Sequence, residues 1–418
     1  MNFLLSAGEA SGDTYGAQLA EALRQLAPVS QAHVPQAHVP QAASSQDAQD
    51  RRAPGVPEPG ASFFGMGGEK MQAAGCELLV DAREVAVVGL VEVVKHLPEI
   101  RRRFKHLVAE VARRKPTAAI LIDFPDFNLR LARELHRLGI PVFYFVSPQI
   151  WAWRSGRVKQ IRKYVRKMIV IFPFEQEFYR RHGVEVSYVG HPLAYAASPE
   201  VPRTDFAARH GLDPGKPWIA LLPGSRRKEV RLNLPPMLEA AGLLQQRGRD
   251  YELLLPVAST LSPEWMREQL NGAPVAIHLT QNARATLMHA RVAVVASGTA
   301  TVEATLSGTP FVVVYRLAPL TWMLGRRLVR LDTFAMPNLI AGKKIVSELI
   351  QGDFTPENVV REVMALLPDG AVRQEMQNAL KMVQNRLRDR EDEDPPALKA
   401  AKEIMQGLAV AKLGGKKA

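Results

Sequence analysis

The chain has one cysteine, Cys76, in 418 residues. A single thiol cannot close an internal disulfide, so nothing in the cysteine usage points to an oxidising compartment. Long apolar runs are missing as well. The longest candidate for a membrane span, Val292 to Tyr315, is broken by Glu303 and by many Ser, Thr and Gly residues. The opening MNFLLSAGEA has no basic start and its apolar run stops at Glu9, so it reads as a first β-strand rather than a secretory signal, and a cytoplasmic location is expected. Also absent are the H-E-x-x-H and C-x-x-C spacings of metal sites, the G-x-S-x-G elbow of serine hydrolases and the three-glycine dinucleotide fingerprint. Gly211 to Lys216 falls one residue short of a P-loop.

What the sequence does hold is a 47% hydrophobic fraction over a length that favours two or three domains with a sizeable core. Its formal charge of +12 favours an anionic partner: nucleic acid, an anionic membrane surface or a phosphorylated small molecule. Short apolar runs alternate with helical stretches. Strands are expected at Asn2 to Ala7, Ser62 to Phe64, Ala118 to Ile122, Pro141 to Val146, Lys167 to Phe172 and Glu185 to Val189. After an aperiodic stretch at Ala196 to Thr204 they resume at Trp218 to Leu222, Tyr251 to Pro256, Val275 to His278, Val292 to Ala296 and Phe311 to Tyr315. The expected fold class is α/β, with two Rossmann-like, doubly wound parallel-sheet domains facing a cleft. They would occupy residues 1–195 and 205–370, with C-terminal helices and a tail at 371–418. Ser30 to Ala61, where QAHVP repeats in tandem, reads as a disordered low-complexity insertion in the first domain.

Several strand ends carry residues suited to chemistry. Ala220 to Arg231, ALLPGSRRKEVR, joins a buried strand to a basic helix start through Pro223-Gly224-Ser225. Gly224 lets the backbone approach a ligand, Ser225 is placed to cap the helix, and unpaired first-turn N–H groups attract an anion. Arg226, Arg227 and Lys228 are disfavoured at a helix N-terminus unless an anion answers them, which argues for a bound phosphate; a solvated basic turn is the alternative. Ser297-Gly298-Thr299 forms a similar helix start, and Glu303 one turn on can accept hydrogen bonds from a ribose diol. Two such starts in one domain favour a nucleotide diphosphate.

In the first half, Asp123 lies just past Ala118 to Ile122, where strand ends open into the ligand crevice, and reads as a general base. Asp126 competes for the cap of the helix that follows. The turn Gly8-Glu9-Ala10-Ser11-Gly12-Asp13 brings two carboxylates and a hydroxyl to another strand end, and His191 stands where the first half finishes. Val87 to Leu107 combines Val91, Val94, Leu97, Ile100, Phe104 and Leu107 with Lys95, Arg101, Arg102, Arg103 and Lys105. Such a segment either packs on its own sheet or meets a membrane or an acyl chain. The aromatic and basic residues from Trp151 to Lys163 could stack on RNA bases or wall the cleft.

The motifs GEASGD at Gly8, IDFPDFN at Ile122, YFVSPQIWAWR at Tyr144 and FPFE at Phe172 are followed by GHPL at Gly190, LLPGSR at Leu221, ASGTATVE at Ala296 and PNLIAG at Pro337. In content and order, over nearly the whole chain, they resemble the lipid-A-disaccharide synthase family. The insertion and the GGKKA tail depart from the family pattern without touching a motif. The resemblance implies a GT-B type glycosyltransferase joining UDP-2,3-diacylglucosamine to 2,3-diacylglucosamine 1-phosphate (lipid X). The products would be the β-1,6-linked lipid A disaccharide 1-phosphate and UDP. It further implies a Gram-negative cell, peripheral association with the cytoplasmic face of the inner membrane, Asp123 as base for the acceptor hydroxyl, Arg226 as phosphate ligand, and Glu303 and Asn338 as nucleotide-side residues.

No cofactor and no metal are expected. The one D-x-D, Asp392-Glu393-Asp394, lies in an acidic terminal stretch, whereas a metal-dependent sugar transferase would carry that motif beside a strand. The expected partners are the two acylated substrates and an anionic membrane surface, not nucleic acid, with a homo-oligomer left open. Two rivals stand beside this reading. Another UDP-N-acetylglucosamine-using GT-B enzyme or epimerase would have no use for the apolar basic segment. A non-enzymatic basic membrane- or RNA-binding protein would be indifferent to Asp123.

Overall fold

Parallel strands covered on both faces need continuous apolar runs, and AAILI, WIALL and VAVVA supply them. The computed structural model describes residues 1–27, 60–85, 90–153, 155–248, 250–317, 333–388 and 393–414, with the side chains of 90–96, 152–153, 155 and 411–414 left aside. The proposed insertion up to residue 59, the side chains of Val91 and Val94, Asp392 of the D-x-D and the tail after Gly414 lie outside the described residues.

The first half runs β1 (Asn2–Ala7), α1 (Ala10–Leu26), β2 (Ser62–Gly67), α2 (Glu69–Ala73), β3 (Cys76–Asp81), α3 (Leu90–Arg114), β4 (Ala118–Ile122), α4 (Pro125–Arg137), β5 (Val142–Phe145), α5 (Ile150–Trp153), α6 (Val158–Tyr164), β6 (Lys167–Val170), α7 (Pro173–Arg181), β7 (Val186–Tyr188) and α8 (Pro192–Tyr195). The second half runs α9 (Arg203–His210), β8 (Trp218–Leu222), α10 (Arg227–Gln246), β9 (Glu252–Pro256), α11 (Pro263–Gln269), β10 (His278–Thr280), α12 (Ala283–His289), β11 (Val292–Ala296), α13 (Thr299–Ser307), β12 (Phe311–Tyr315), α14 (Met336–Ala341), β13 (Glu348–Ile350), α15 (Pro356–Leu366), α16 (Ala371–Leu387) and α17 (Pro396–Gly414).

Two sheets result, ordered β3-β2-β1-β4-β5-β6-β7 and β10-β9-β8-β11-β12-β13. Every strand pairing in them is parallel. Successive side chains of β4 go to opposite cores. Ala118, Ile120 and Ile122 join Phe3, Leu5 and Phe143 on one face, while Ala119 and Leu121 join Leu4, Phe64 and Tyr144 on the other. Strand order reverses between β1 and β4 in one sheet and between β8 and β11 in the other. Ligands of doubly wound sheets bind outside the strand ends at that reversal.

The last helix, α17, packs on the first sheet. Ala400, Ala401 and Ile404 share a core with Phe3, Leu5 and Phe143. A Cβ added at Gly407 would come within 2.7 Å of the Phe143 ring, so glycine permits the close approach. Glu403 accepts from Lys167 Nζ at 2.5 Å.

Candidate active site

On the first-domain side, β4 ends at Ile122, and Asp123 and Phe124 both take positive φ, 45° and 48°. Left-handed backbone at residues with side chains costs on the order of 1–3 kcal/mol each and persists only where the surroundings over-determine it. Asn128, on α4, supplies the restraint. Its Nδ2 donates to the carbonyls of Ser6, Ile122 and Asp123 at 3.2, 3.2 and 2.8 Å, and its Oδ1 accepts from Ser6 Oγ at 2.7 Å. The Tyr144 hydroxyl donates to the same Asp123 carbonyl at 2.5 Å. The Phe124 ring folds over Gly8, where a Cβ would lie 2.2 Å from it, so only glycine fits at the head of GEASGD. Asp123 is thereby held half-buried at the mouth of the crevice between β1 and β4. Burial pushes its carboxyl up to about 7, the Glu9 carboxylate adds to the rise, and the Phe124 amide and the Arg226 guanidinium oppose it. A base that titrates near neutral pH suits proton abstraction.

Across the cleft, β8 ends in Pro223-Gly224-Ser225. Gly224 has φ 128°, and a Cβ there would meet the Glu229 side chain at 2.7 Å. The N-cap of α10 is Arg226, which corrects the expectation that Ser225 caps it. Glu229 reaches back instead, and its Oε2 accepts from the amides of Ser225 and Arg226 at 3.1 and 3.3 Å. Asn233, fully buried, grips the turn from behind by donating to the Pro223 carbonyl at 2.9 Å and accepting from the Arg316 amide at 2.9 Å. The Arg226 guanidinium contacts Glu229 Oε1 within its own domain and Glu9 Oε2 of the other domain, both at 3.5 Å. Long contacts between solvent-exposed groups are worth roughly 0–1 kcal/mol, so a phosphate can readily replace them.

The neighbouring strand β11 leads through Ser297 to Gly298, the N-cap of α13, at φ 149° and with no side chain capping the helix. Of its first-turn N–H groups, that of Thr301 donates to the Gly298 carbonyl at 3.0 Å, and those of Thr299 and Ala300 are open to an anion. Glu303 sits one turn into α13, half-buried, its carboxyl raised by burial against the pull of Arg284. The Arg226–Glu9 contact joins the residues that follow β8 and β1, so the two strand-order reversals face each other.

The structure thus brings Glu9, Asp123, Arg226 and Glu303 together with the turns of Gly224, Ser225, Ser297, Gly298 and Thr299. Ser11 is exposed in the first turn of α1, and Gly12 is buried with its Cα facing Ala7 and Ile122. Other expected residues are engaged elsewhere. The buried Asp13 carboxylate accepts from the amides of Gly68, Lys70 and Met71 at 2.7, 3.0 and 3.1 Å, capping α2. His191 is buried as the N-cap of α8, where Nδ1 accepts from the Leu193 amide at 3.2 Å, and burial drives its imidazole down to about 3. Asn338 is fully buried; Oδ1 accepts from the amides of Ile345 and Val346 at 2.7 and 2.9 Å, while Nδ2 donates to Val346 O and Glu348 Oε1 at 3.0 and 2.6 Å. Its amide shapes the loop before β13. Asp126 does not cap α4, whose N-cap is Phe124, and pairs with Arg157.

On α3, Leu97 and Phe104 are half-buried, and Phe104 packs edge-on against Phe127 at 5.2 Å. Arg101 and Arg102 are exposed, Arg102 and Arg103 pair with Glu99, and Arg103 also pairs with Glu84. Sequence reasoning missed Asn128, Tyr144, Glu229 and Asn233. A signal existed for one of them, the polar residue that closes IDFPDFN inside the apolar stripe of Phe127, Leu131 and Leu135.

The backbone resembles CalG4, the calicheamicin glycosyltransferase, with a TM-score of 0.54, 16% identity and coverage of 98% of each chain. It also resembles the UDP-GlcNAc 2-epimerase from Neisseria meningitidis solved with UDP-GlcNAc, with a TM-score of 0.56, 11% identity and coverage of 98% of this chain and 100% of that one. Identities this low bear on the fold alone, and the fold is that of the GT-B class. Sequence narrows the class much further. The model of the Lipid-A-disaccharide synthetase family matches residues 3–401. A lipid-A-disaccharide synthase of Koribacter versatilis is 51% identical over 407 residues, which are 97% of this chain and 98% of that one. The chain belongs to the lipid-A-disaccharide synthetase family, glycosyltransferases of lipid A biosynthesis. Among the described residues, no helix is long and apolar enough to cross a membrane.

Proposed function

We propose that the cleft carries out an inverting transfer from UDP-2,3-diacylglucosamine to lipid X, with residues 1–195 forming the acceptor and lipid side and 205–370 the UDP-sugar side. Asp123 takes the proton of the acceptor hydroxyl as that oxygen attacks the anomeric carbon. The bond to UDP breaks on the opposite face, and the leaving diphosphate is met by Arg226 and by the helix starts at Ser225 and at Ser297-Gly298-Thr299. Glu303 accepts from the ribose diol, and Asn338 acts on the nucleotide side by holding its loop in shape. No metal or other cofactor takes part.

The observation that carries this reading is that Arg226, at the end of β8, reaches across to Glu9 at 3.5 Å, on the strand end beside the one that carries Asp123, so the two groups come from opposite domains to one cleft. Acceptor activation and leaving-group neutralisation therefore come from the two walls of one cleft. The exposed Arg101 and Arg102 of α3, beside half-buried Leu97 and Phe104, are assigned to the anionic inner-membrane surface and the acyl chains of the substrates. UDP release from UDP-2,3-diacylglucosamine, measured with chelator and with or without lipid X, tests the reading. Release should require lipid X, survive the chelator, and fall by at least about 10²-fold in Asp123→Asn. Release that ignores lipid X or Asp123 would overturn it.

A further inference from the structure

Tyr15 is the one aromatic residue of α1, and no motif singled it out. Side chains on a helix lean toward its N-terminus, which places this ring over the strand ends rather than along the strands. The ring belongs to the same core as Ala7, Ile122 and Phe145, the last residues of β1, β4 and β5, and its centroid is 6.4 Å from that of Phe145. The residue is only 8% exposed. Its hydroxyl nevertheless has no hydrogen-bond partner among the described residues. Every described side-chain nitrogen or oxygen that is wholly shut off from solvent does have one. The Tyr15 oxygen therefore keeps access to solvent from an otherwise buried ring that packs at the ends of β1, β4 and β5. A phenol whose ring is buried and whose hydroxyl has no partner within the protein leaves that donor to water or to a ligand atom.

The chemistry of that atom follows from the charges around it. Burial and the negative charges of Glu303 and Asp123 push the phenol up to about 12, so it stays protonated and acts as a neutral donor. The same two carboxylates repel any anion placed beside it, and the diphosphate has its own cationic partner in Arg226. The atom that meets Tyr15 is therefore uncharged. In the reading of the cleft given above, on which this inference rests, the group lying between the base Asp123 and the nucleotide-side Glu303 is the hexose in transfer. We propose that the Tyr15 hydroxyl donates a hydrogen bond to a neutral oxygen of the donor hexose, which makes it a substrate-contacting residue that selects the sugar and is blind to the nucleotide.

Tyr15→Phe removes only the hydroxyl and keeps the packed ring. Its melting temperature should equal or exceed that of the wild type, since no internal hydrogen bond is lost. The Kd for UDP, read by calorimetry, should be unchanged, while kcat/KM for UDP-2,3-diacylglucosamine falls about 3- to 10-fold. Unchanged kcat/KM would overturn the proposal, as would an equal loss of UDP affinity, which would move the contact to the nucleotide. A rise confined to the KM of lipid X would move it to the acceptor, and a clear fall in melting temperature would show that the hydroxyl serves the fold. Asp123→Asn measured alongside separates the two readings. Full transfer by that variant removes the base assignment, whereas a donor-specific loss in Tyr15→Phe stands without it.

Discussion

The turn after β4 and the turn after β8 each flank the strand-order reversal of their sheet and are built in opposite ways. The first keeps side chains at Asp123 and Phe124 in left-handed backbone, while the second places Gly224 at φ 128°. Each is gripped from behind by one buried asparagine on the helix that follows, Asn128 or Asn233. The difference follows from what each turn presents. A site that works through a carboxylate must keep that side chain, so it carries strain and needs many restraints. A site that works through backbone N–H groups and a nearby guanidinium gains from having no side chain at the turn, and glycine relieves the strain at once.

Exchanging the working group is the strongest way to break the comparison. Asp123→Asn keeps the shape of the turn and should lower kcat by about 10²- to 10⁴-fold. In the wild type, kcat/KM should rise with pH through about 7 as the carboxyl loses its proton, and that limb should vanish in the variant. Stability should move the other way. A carboxyl whose folded pKa is raised contributes stability that is fully present below its ordinary range, about 4, and is lost as pH rises through the folded value. The melting temperature of Asp123→Asn should therefore match the wild type at pH 3 and exceed it increasingly up to pH 7, remaining higher above that. If neither the rate nor the limb moves, the strained turn serves only the fold.

Arg226→Ala tests the opposite wall. Losing a charge-assisted contact to the diphosphate should weaken UDP binding by about 10- to 100-fold in calorimetry with chelator present. Arg226→Lys should recover only part of this, because an ammonium lacks the planar fork of the guanidinium. Equal UDP affinity in all three proteins would detach the β8 turn from the diphosphate.

How much of this was legible in the sequence depended on burial. The strands at Asn2–Ala7, Ala118–Ile122, Trp218–Leu222, Val292–Ala296 and Phe311–Tyr315 lie where the apolar runs put them, because strands covered on both faces have no polar alternation to blur their ends. The edge strands Cys76–Asp81 and Glu348–Ile350 were not anticipated, and the strand expected at Val275 to His278 forms at His278–Thr280. Both are only partly buried, so their composition mixes polar with apolar residues as loops do. In the site, the turns were readable through glycine and charge. The residues that hold them were not, because Asn128 and Asn233 look like any polar residue on a helix until tertiary packing decides which face is buried. Asp13 and His191 show the converse: residue types suited to chemistry were turned by their neighbours into helix caps. The docking of α17 was also beyond reading, since Glu403 finds Lys167 across 236 residues of sequence.

The two asparagines should differ in measurable stability. Asn128 holds four partners and Asn233 two. Alanine at 128 strands the Ser6 hydroxyl and releases a strained turn, so a loss of about 2–4 kcal/mol is expected in urea unfolding, against about 1–2 kcal/mol at 233. Equal losses would mean that the strain at Asp123 and Phe124 adds nothing to what its restraint must supply.

The finest test lies at Gly298, the second glycine turn. A Cβ there would touch nothing within 4 Å, unlike one at Gly224, which would meet Glu229 at 2.7 Å. Gly298→Ala therefore carries only the backbone penalty of its φ of 149°, about 1 kcal/mol in urea unfolding. The empty space beside it is also the approach to the uncapped start of α13, where the methyl would intrude on a diphosphate seated there. UDP affinity should then fall by more than the stability change alone would cause. If stability drops by that amount while UDP binds as before, the α13 start lies off the path of the phosphates and the anion site reduces to the β8 turn and Arg226.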